Sequence, residues 1–454
     1  MAGAFIFDAN RCTGCGACRV ACTIENGLPP ATSWRRIETF NVGRVAAAPV
    51  FHLSIACNHC GTAACMNACP ALAYRRDGPT GAVLLDSSSC IGCGYCSWAC
   101  PYDAPLFDES AGVMTKCNWC VDRLRAGLKP ACVSHCPTGA LDYSSTPIPA
   151  RVSALEGLPA TLLDPSLHVI PLEAGRTQPE MTAPIPADGD GLNCHPAPTG
   201  AEISLRHEWP LPVFTLGAAL LVGGVTGAAT GAYRLHAWVF AVAALFVMSV
   251  PHLHLGRIDR AWRAVLNVRR SWLSREVVFL SLFVTLATLW LFVAPDSPRL
   301  GLGVALVGFA GLFCADRLYG VLPGGGGYRH SAGVTYTAVL FAAVFAGSLR
   351  LAALALVLKL GLYGWRKWRA TAAGLPSGVI IARVGSGMFG LLLLPALLPA
   401  AALLILVGEI IDRCEYYTGL SRQTPGREMA RALARRLHLR LSASATLPGS
   451  AASG

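Results

Sequence analysis

The sequence predicts two unlike halves in one chain: a cysteine-rich α+β domain, then an all-α transmembrane bundle of about eight helices. Three observations carry this expectation. The 454 residues are 53% hydrophobic and only 14% charged, whereas a soluble globular chain carries about 25% charged residues. Sixteen of the 19 cysteines fall before residue 137, and only Cys194, Cys314 and Cys414 lie beyond it. Apolar windows long enough to cross a bilayer begin near residue 210. Together these exclude a single soluble enzyme, a disordered chain and a plain transporter.

The amino end, MAGAFIFDANRC, has no basic n-region, apolar signal stretch or twin arginine, so nothing directs the cysteines to an oxidising compartment. Their spacing points to metal. The runs are Cys12-x2-Cys15-x2-Cys18-x3-Cys22, Cys57-x2-Cys60-x4-Cys65-x3-Cys69-Pro70, Cys90-x2-Cys93-x2-Cys96-x3-Cys100-Pro101 and Cys117-x2-Cys120-x11-Cys132-x3-Cys136-Pro137. The third is the bacterial ferredoxin pattern, in which three close thiolates hold one cubane and the fourth reaches the neighbouring cluster. Two-residue gaps let a tight loop set successive sulfurs on different irons. Four zinc sites would also use sixteen thiolates, which makes a zinc-binding, non-redox membrane scaffold the rival reading. Zinc, however, has no use for the third cysteine of Cys-x2-Cys-x2-Cys, which occurs in two runs. Four runs of four ligands predict four 4Fe-4S clusters in a tandem bacterial-ferredoxin-like domain.

The stretches RCTGCGACRVAC, CNHC, CIGCGYCSWACPY and KCNWCVDRL followed by ACVSHCPTGAL resemble the four-cluster electron-transfer subunit of dimethyl sulfoxide reductase-type molybdoenzymes, over residues 4 to about 143. The resemblance implies that the first and fourth runs pair, as do the second and third. One cluster then takes Cys12, Cys15, Cys18 and Cys136, and its partner Cys117, Cys120, Cys132 and Cys22. The other pair takes Cys57, Cys60, Cys65 and Cys100, and Cys90, Cys93, Cys96 and Cys69. It also implies that the Cys12 cluster faces a molybdenum partner and the Cys90 cluster the membrane. Trp98, Trp119 and His135, beside the ligands, are read as packing or hydrogen-bonding groups.

Residues 1–143 are thus the electron-transfer domain. Residues 144–206 hold ten prolines and read as an extended linker without a core, in which Cys194 and His195 form an incidental pair. Such a tether keeps donor and acceptor at high effective concentration. Residues 207–420 form the transmembrane anchor, and 421–454 a basic, flexible tail. Spans are expected at 210–232, 235–255, 276–295, 299–320, 331–348 and 349–365. The 41 residues 373–413 would make a helix of roughly 60 Å, twice the hydrocarbon core, so they split near Pro395 to Pro399. Seventeen basic residues lie on the side of the cysteine domain, including six arginines in 257–275, against Arg234, Arg299 and Arg350 opposite. The positive-inside rule therefore puts the protein in the inner (cytoplasmic) membrane with the iron–sulfur domain on the cytoplasmic face. These loops and the tail also account for the net charge of +11, so no nucleic-acid partner is expected.

HEWPL at 207–211, Leu253-His254-Leu255-Gly256 and LVGEIIDRCEYY at 406–417 resemble the membrane anchor of the same reductase family. Its best-known members work on the periplasmic face. The charge pattern here instead resembles the cytoplasm-facing branch, which includes a membrane-bound sulfite:quinone oxidoreductase. A quinol releases two electrons and two protons, so its site needs a proton acceptor near a cluster, and histidine suits this near neutral pH. His254 and Glu276 match positions that the resemblance associates with quinol binding, with His252 as a weaker neighbour; the bland alternative is that they cap helices at headgroup level. Asp316 and Arg317 are expected to pair, Lys359 and Arg383 to snorkel, and Glu409, Asp412 and Arg413 to hold helices together, with Glu409 a candidate for a proton path. No haem is expected, because His236, His252 and His254 do not face one another across a span.

The expected function is an electron-transfer and anchor subunit without a catalytic residue of its own. It would link the quinone pool to a molybdopterin-containing catalytic subunit, with molybdopterin on that partner only. The cytoplasmic charge pattern tilts the expectation toward sulfite oxidation. A quinol-driven S- or N-oxide, nitrate or polysulfide reductase is the alternative. A complex I-like pump is not expected, for want of broken helices with central Lys and Glu series.

Overall fold

The computed structural model describes residues 3–30, 32–41, 49–159, 162–173, 203, 205–322, 330–370, 377–422 and 424–445. At the amino end the strand Ala4–Asp8 lies between two others, antiparallel to Leu141–Ser144 and parallel to Leu167–Ile170. Alternation sends Phe5 and Phe7 inward, 2% and 0% exposed, with Leu141 and Val169 beside Phe7 in register. Three hairpins follow: Arg36–Phe40 with Phe51–Ile55, Tyr74–Arg76 with Val83–Leu85, and Leu106–Asp108 with Val113–Thr115. Between them run helices of four to nine residues, Ala17–Glu25, Ala64–Ala68, Tyr95–Trp98, Val121–Arg125 and Ala131–Ser134, each starting next to or within two residues of a cysteine. Elements this short are marginal alone.

Two boundaries differ from the sequence reading. The domain does not stop at residue 143: Leu167–Ile170 completes its sheet, and Val152, Leu155, Leu158 and Leu167 join its core. Phe5 and Phe7 need cover on both flanks, and a four-residue strand supplies it inside a proline-rich stretch that has no visible period. The rest of the expected linker, Cys194 and His195 included, lies outside the described residues. Nor is the described part of the expected tail, residues 424–445, free. Pro425–Ala445 is a helix whose Met429 is 1% exposed within the amino-terminal core, with Leu433 beside it. Met429 and Leu433 sit at i and i+4, an apolar strip within a basic helix.

In the anchor, Pro210–Ala229, Ala237–His254, Trp272–Val293 and Pro298–Tyr319 are, among the described residues, the four helices long and apolar enough to cross a membrane. Val334–Phe345, Leu349–Ala370, Ser377–Leu393 and Leu398–Gly419 follow. The first and third of these are shorter, while the second and fourth carry charges mid-helix. The expectation of about eight spans thus meets four helices of full spanning character. A break at Pro395 to Leu397 separates the last two.

Lys359 and Arg383 do not snorkel. Lys359 and Arg383 are 2% and 0% exposed and both reach Glu409, at 2.9 and 2.7 Å. Arg366 reaches Asp412 at 2.9 Å. A snorkelling side chain needs a route to the headgroups, and these point into the bundle instead. Asp316 caps the next helix, accepting from the amides of Val334 and Thr335 at 2.9 and 3.0 Å.

Candidate functional site

The four Cys-x-x-Cys loops share one backbone device. The residue before the second cysteine of each run, Gly14, His59, Gly92 or Trp119, has a positive φ of 70°, 43°, 69° or 65°. For histidine and tryptophan this costs on the order of 1 kcal/mol or more and persists only where the surroundings impose it. The turn aims backbone amides at sulfur: the amides of His59, Gly92 and Trp119 donate to Sγ of Cys57, Cys90 and Cys117, each at 3.4 Å. Trp119, 0% exposed, is stacked on His59 at 4.4 Å. Burial, reinforced by Lys116 and Arg76, holds His59 neutral, and its Nδ1 accepts from the Val83 amide at 3.0 Å. His135 turns its Nδ1 to the Ala131 carbonyl, 2.9 Å away.

The fold gathers the cysteines into four neighbourhoods. Cys12 stands with Cys15, Cys18 and Cys136. Cys22 stands with Cys120 and Cys132, and Cys117 with both Cys22 and Cys132. Cys65 has Cys57, Cys60 and Cys100 around it, and Cys93 and Cys96 have Cys69, with Cys90 next to Cys93. The neighbourhoods follow one another in order: Cys18 lies within electrostatic reach of Cys132, Cys117 of Cys57, and Cys65 of Cys96. At the outer end Cys15 is exposed. Burial pushes the Cys22 thiol up to about 11, with Cys132 adding to it, and burial likewise raises Cys60, Cys65, Cys93, Cys96 and Cys117. Such thiols ionise together only around concentrated positive charge. All-sulfur donor sets, amides turned to the sulfurs and deep burial fit iron–sulfur clusters, whose metal supplies that charge.

At the other end of the row, the loop after Ala237–His254 grips the carbonyls beside the cysteines. Arg260 donates to the Ser87 and Cys90 carbonyls at 2.8 and 3.1 Å. Asn267 donates to Asn67 and Cys69 at 3.2 and 2.9 Å, and Ser271 to Ala68 at 2.7 Å. Gly92, Gly112 and Gly256 meet there backbone to backbone. A Cβ on Gly92 would lie 2.9 Å from Gly256 Cα, and one on Gly112 would lie 2.6 Å from the Gly256 carbonyl oxygen.

This junction encloses a cavity of about 150 Å³, walled by Cys93, Tyr95, Trp98, His254, Glu276 and Tyr319 among others. His254 and Glu276 thus share one wall system with a cysteine, and His252 lies at its edge. His254 Nε2 is 3.1 Å from the Cys93 carbonyl and its Nδ1 is 2.9 Å from Glu208 Oε2. Because a carbonyl only accepts, Nε2 carries a proton and Nδ1 is the atom that exchanges one with the carboxylate. Glu276 is 5% exposed and faces the cavity. Trp98 packs on Tyr319, whose hydroxyl bonds that of Tyr417. Glu208 was missed by sequence reasoning. Its signal is an acidic residue two positions before the twenty-residue apolar helix Pro210–Ala229, where a charge at the headgroup level is ordinary.

Sixteen largely buried cysteines in four runs, joined to membrane helices, define a membrane-anchored iron–sulfur electron-transfer subunit. Residues 49–146 match the 4Fe-4S dicluster domain, and residues 204–298 match the DMSO reductase anchor subunit (DmsC). The sequence is 46% identical over 149 residues to the B component of the anaerobic dimethyl sulfoxide reductase of Escherichia coli, covering 31% of this protein and 71% of that one. It is 37% identical over 186 residues to the Haemophilus influenzae protein of the same name, covering 38% and 90%. Similarity extends to the B component of the sulfite dehydrogenase of Allochromatium vinosum, 36% identical over 158 residues, covering 30% and 66%. The protein belongs to the family of iron–sulfur subunits of dimethyl sulfoxide reductase-type complexes, carrying the family's anchor domain in the same polypeptide.

Proposed function

We propose that the chain carries electrons between a membrane quinone and a molybdopterin-containing catalytic subunit through four 4Fe-4S clusters, held by Cys12, Cys15, Cys18 and Cys136; Cys117, Cys120, Cys132 and Cys22; Cys57, Cys60, Cys65 and Cys100; and Cys90, Cys93, Cys96 and Cys69. The observation that carries this reading is that Cys93 lines the same cavity as His254 and Glu276. Such clusters, when bound, take one electron at a time and no proton, so the protons of a quinol must go to the chain. Glu276 accepts one from inside the cavity, and the pair that His254 Nδ1 and the Glu208 carboxylate form is the acceptor for the other. Trp98, Leu211 and Leu273 keep the cavity apolar, which suits a quinone ring.

The exposed Cys15 end is the docking face for the catalytic subunit. The basic loops favour a cytoplasmic iron–sulfur domain and, with it, sulfite oxidation into the quinone pool, over reduction of S- or N-oxides, nitrate or polysulfide. The test is His254→Ala in the complete complex: reduction of the clusters by quinol is lost while their EPR signals and iron content stay. Continued reduction at the parent rate overturns the site. Zinc in place of about sixteen irons per chain overturns the whole reading in favour of a scaffold.

A further inference from the structure

Two buried cations of the amino-terminal domain have no carboxylate partner among the described residues. Arg35 is 2% exposed and Lys116 is 4% exposed. Arg35 Nη1 donates to the carbonyl and hydroxyl of Ser54, both at 3.2 Å, and its guanidinium lies over the Phe5 ring. Lys116 Nζ donates to the carbonyls of Val83 and Cys117. A buried charge with only neutral partners is destabilising by several kcal/mol unless a counter-charge stands near.

The neighbours of each are cysteines of two different runs. The Ser54 hydroxyl that holds Arg35 is itself 3.3 Å from Cys18 Sγ, the guanidinium bonds Cys132, and Cys22 and Cys117 lie within electrostatic reach of it. Lys116 bridges Cys117 and the hairpin strand Val83–Leu85, whose Val83 packs with Cys65 and Cys69. Arg35 therefore stands where the first quartet meets the second in the row, and Lys116 where the second meets the third. At the last junction, by the cavity, the buried group is the uncharged hydroxyl of Tyr74, near Cys65 and Cys96.

We infer that Arg35 and Lys116 are built-in counter-charges that raise the reduction potentials of the clusters they separate, most of all the cluster held by Cys117, Cys120, Cys132 and Cys22, and leave the membrane-side cluster unaided. This rests on the proposed ligation by four clusters. Each one-electron reduction adds one negative charge and takes up no proton, so a fixed cation at low dielectric favours the reduced form.

The test is an EPR-monitored redox titration of the complete chain in its membrane, with Lys116→Met. The two clusters flanking Lys116 shift toward the oxidised form by about tenfold, or 59 mV for a one-electron couple. The other two stay in place, and Lys116→Arg restores the parent values. Unmoved potentials, or equal shifts in all four, overturn the inference while full iron content leaves the cluster assignment standing. A parent chain without iron would instead fail that assignment. Lys116→Gln, which keeps a donor for the Val83 and Cys117 carbonyls, is the second variant. Loss of iron from both variants makes Lys116 a structural staple and overturns the tuning role.

Discussion

In the anchor, Lys359 and Arg383 are buried at 2% and 0% exposure and share the carboxylate of Glu409; in the amino-terminal domain, Arg35 and Lys116 are nearly as deep and bond a hydroxyl, carbonyls and, for Arg35, the sulfur of Cys132. Lipid offers no counter-charge, so a polypeptide that buries cations within the bundle must bring its own carboxylates. Among the described residues the cysteine domain brings none for these two, because the clusters it holds are anionic. A buried lysine is thus a structural tie in one half and an electrostatic setting in the other.

The largest test of this contrast is removal of iron. Without it, Arg35 and Lys116 lose their counter-charge and the ligating thiols lose their cross-link, so residues 3–173 should open as a unit. Limited proteolysis of iron-starved protein in membranes should cut throughout that region and spare the helices between 210 and 419. Equal protection with and without iron breaks the comparison at its root.

Glu409→Leu comes next. It strands Lys359 and leaves Arg383 only Asp412, 3.8 Å away, and breaking a buried pair from one side costs about 3–5 kcal/mol. Thermal unfolding in detergent should fall steeply while the cluster signals of the intact protein at low temperature are unchanged. Adding Lys359→Met should recover part of the loss. A variant as stable as the parent would mean that water reaches the cluster of charges.

Met429→Ala tests the strap by which the carboxyl-terminal helix returns to the cysteine domain. Methionine-to-alanine changes at buried positions cost about 2–5 kcal/mol, and the loss should appear in urea unfolding of the amino-terminal domain and not in the anchor. An unfolding midpoint equal to the parent's would return residues 425–445 to the status of a tail.

What the sequence made legible follows from how each feature is encoded. The cysteines announce themselves by spacing, since a cubane loop tolerates few arrangements. Which runs stand together was supplied by resemblance, because loop closure over a hundred residues leaves no local trace. His254 and Glu276 were readable as ionisable residues at the ends of apolar windows. Their common cavity, and Glu208 behind His254, depend on how three helices cross. Lys116 and Arg35 look like surface charges in any linear reading; only burial distinguishes them. Leu167–Ile170 and the helix Pro425–Ala445 were hidden by composition, the one among prolines and the other among arginines, and the apolar pair in each, Leu167 with Val169 and Met429 with Leu433, is too short to show as a period. Lys359 and Arg383 were misread because snorkelling is the common fate of a lone cation, and their partner lies more than twenty residues away.

The smallest effect sharpens the comparison from the opposite sign of charge. Asp103, three residues past Cys100, is a buried anion beside an expected anionic cluster, and it is held by two arginines, Arg36 at 3.1 Å and Arg422 at 3.0 Å. Where Arg35 and Lys116 have no carboxylate, Asp103 has two cations. Burial pushes its carboxyl above the usual range, and Arg422 and then Arg36 pull it back. Arg422→Gln removes one of them, so the carboxyl should rise further while Arg36 keeps it partly ionised. The cost should be about 1 kcal/mol at pH 7 to 8, near the net value of a single hydrogen bond. The arginine acts only on the ionised form. The difference between parent and variant must therefore be fullest above the folded-state range of Asp103 and shrink as acid protonates it in both proteins. Chemical denaturation of the two proteins across pH 4 to 8 checks this, and a difference that grows toward acid would mean that Arg422 holds the domain by packing rather than by charge.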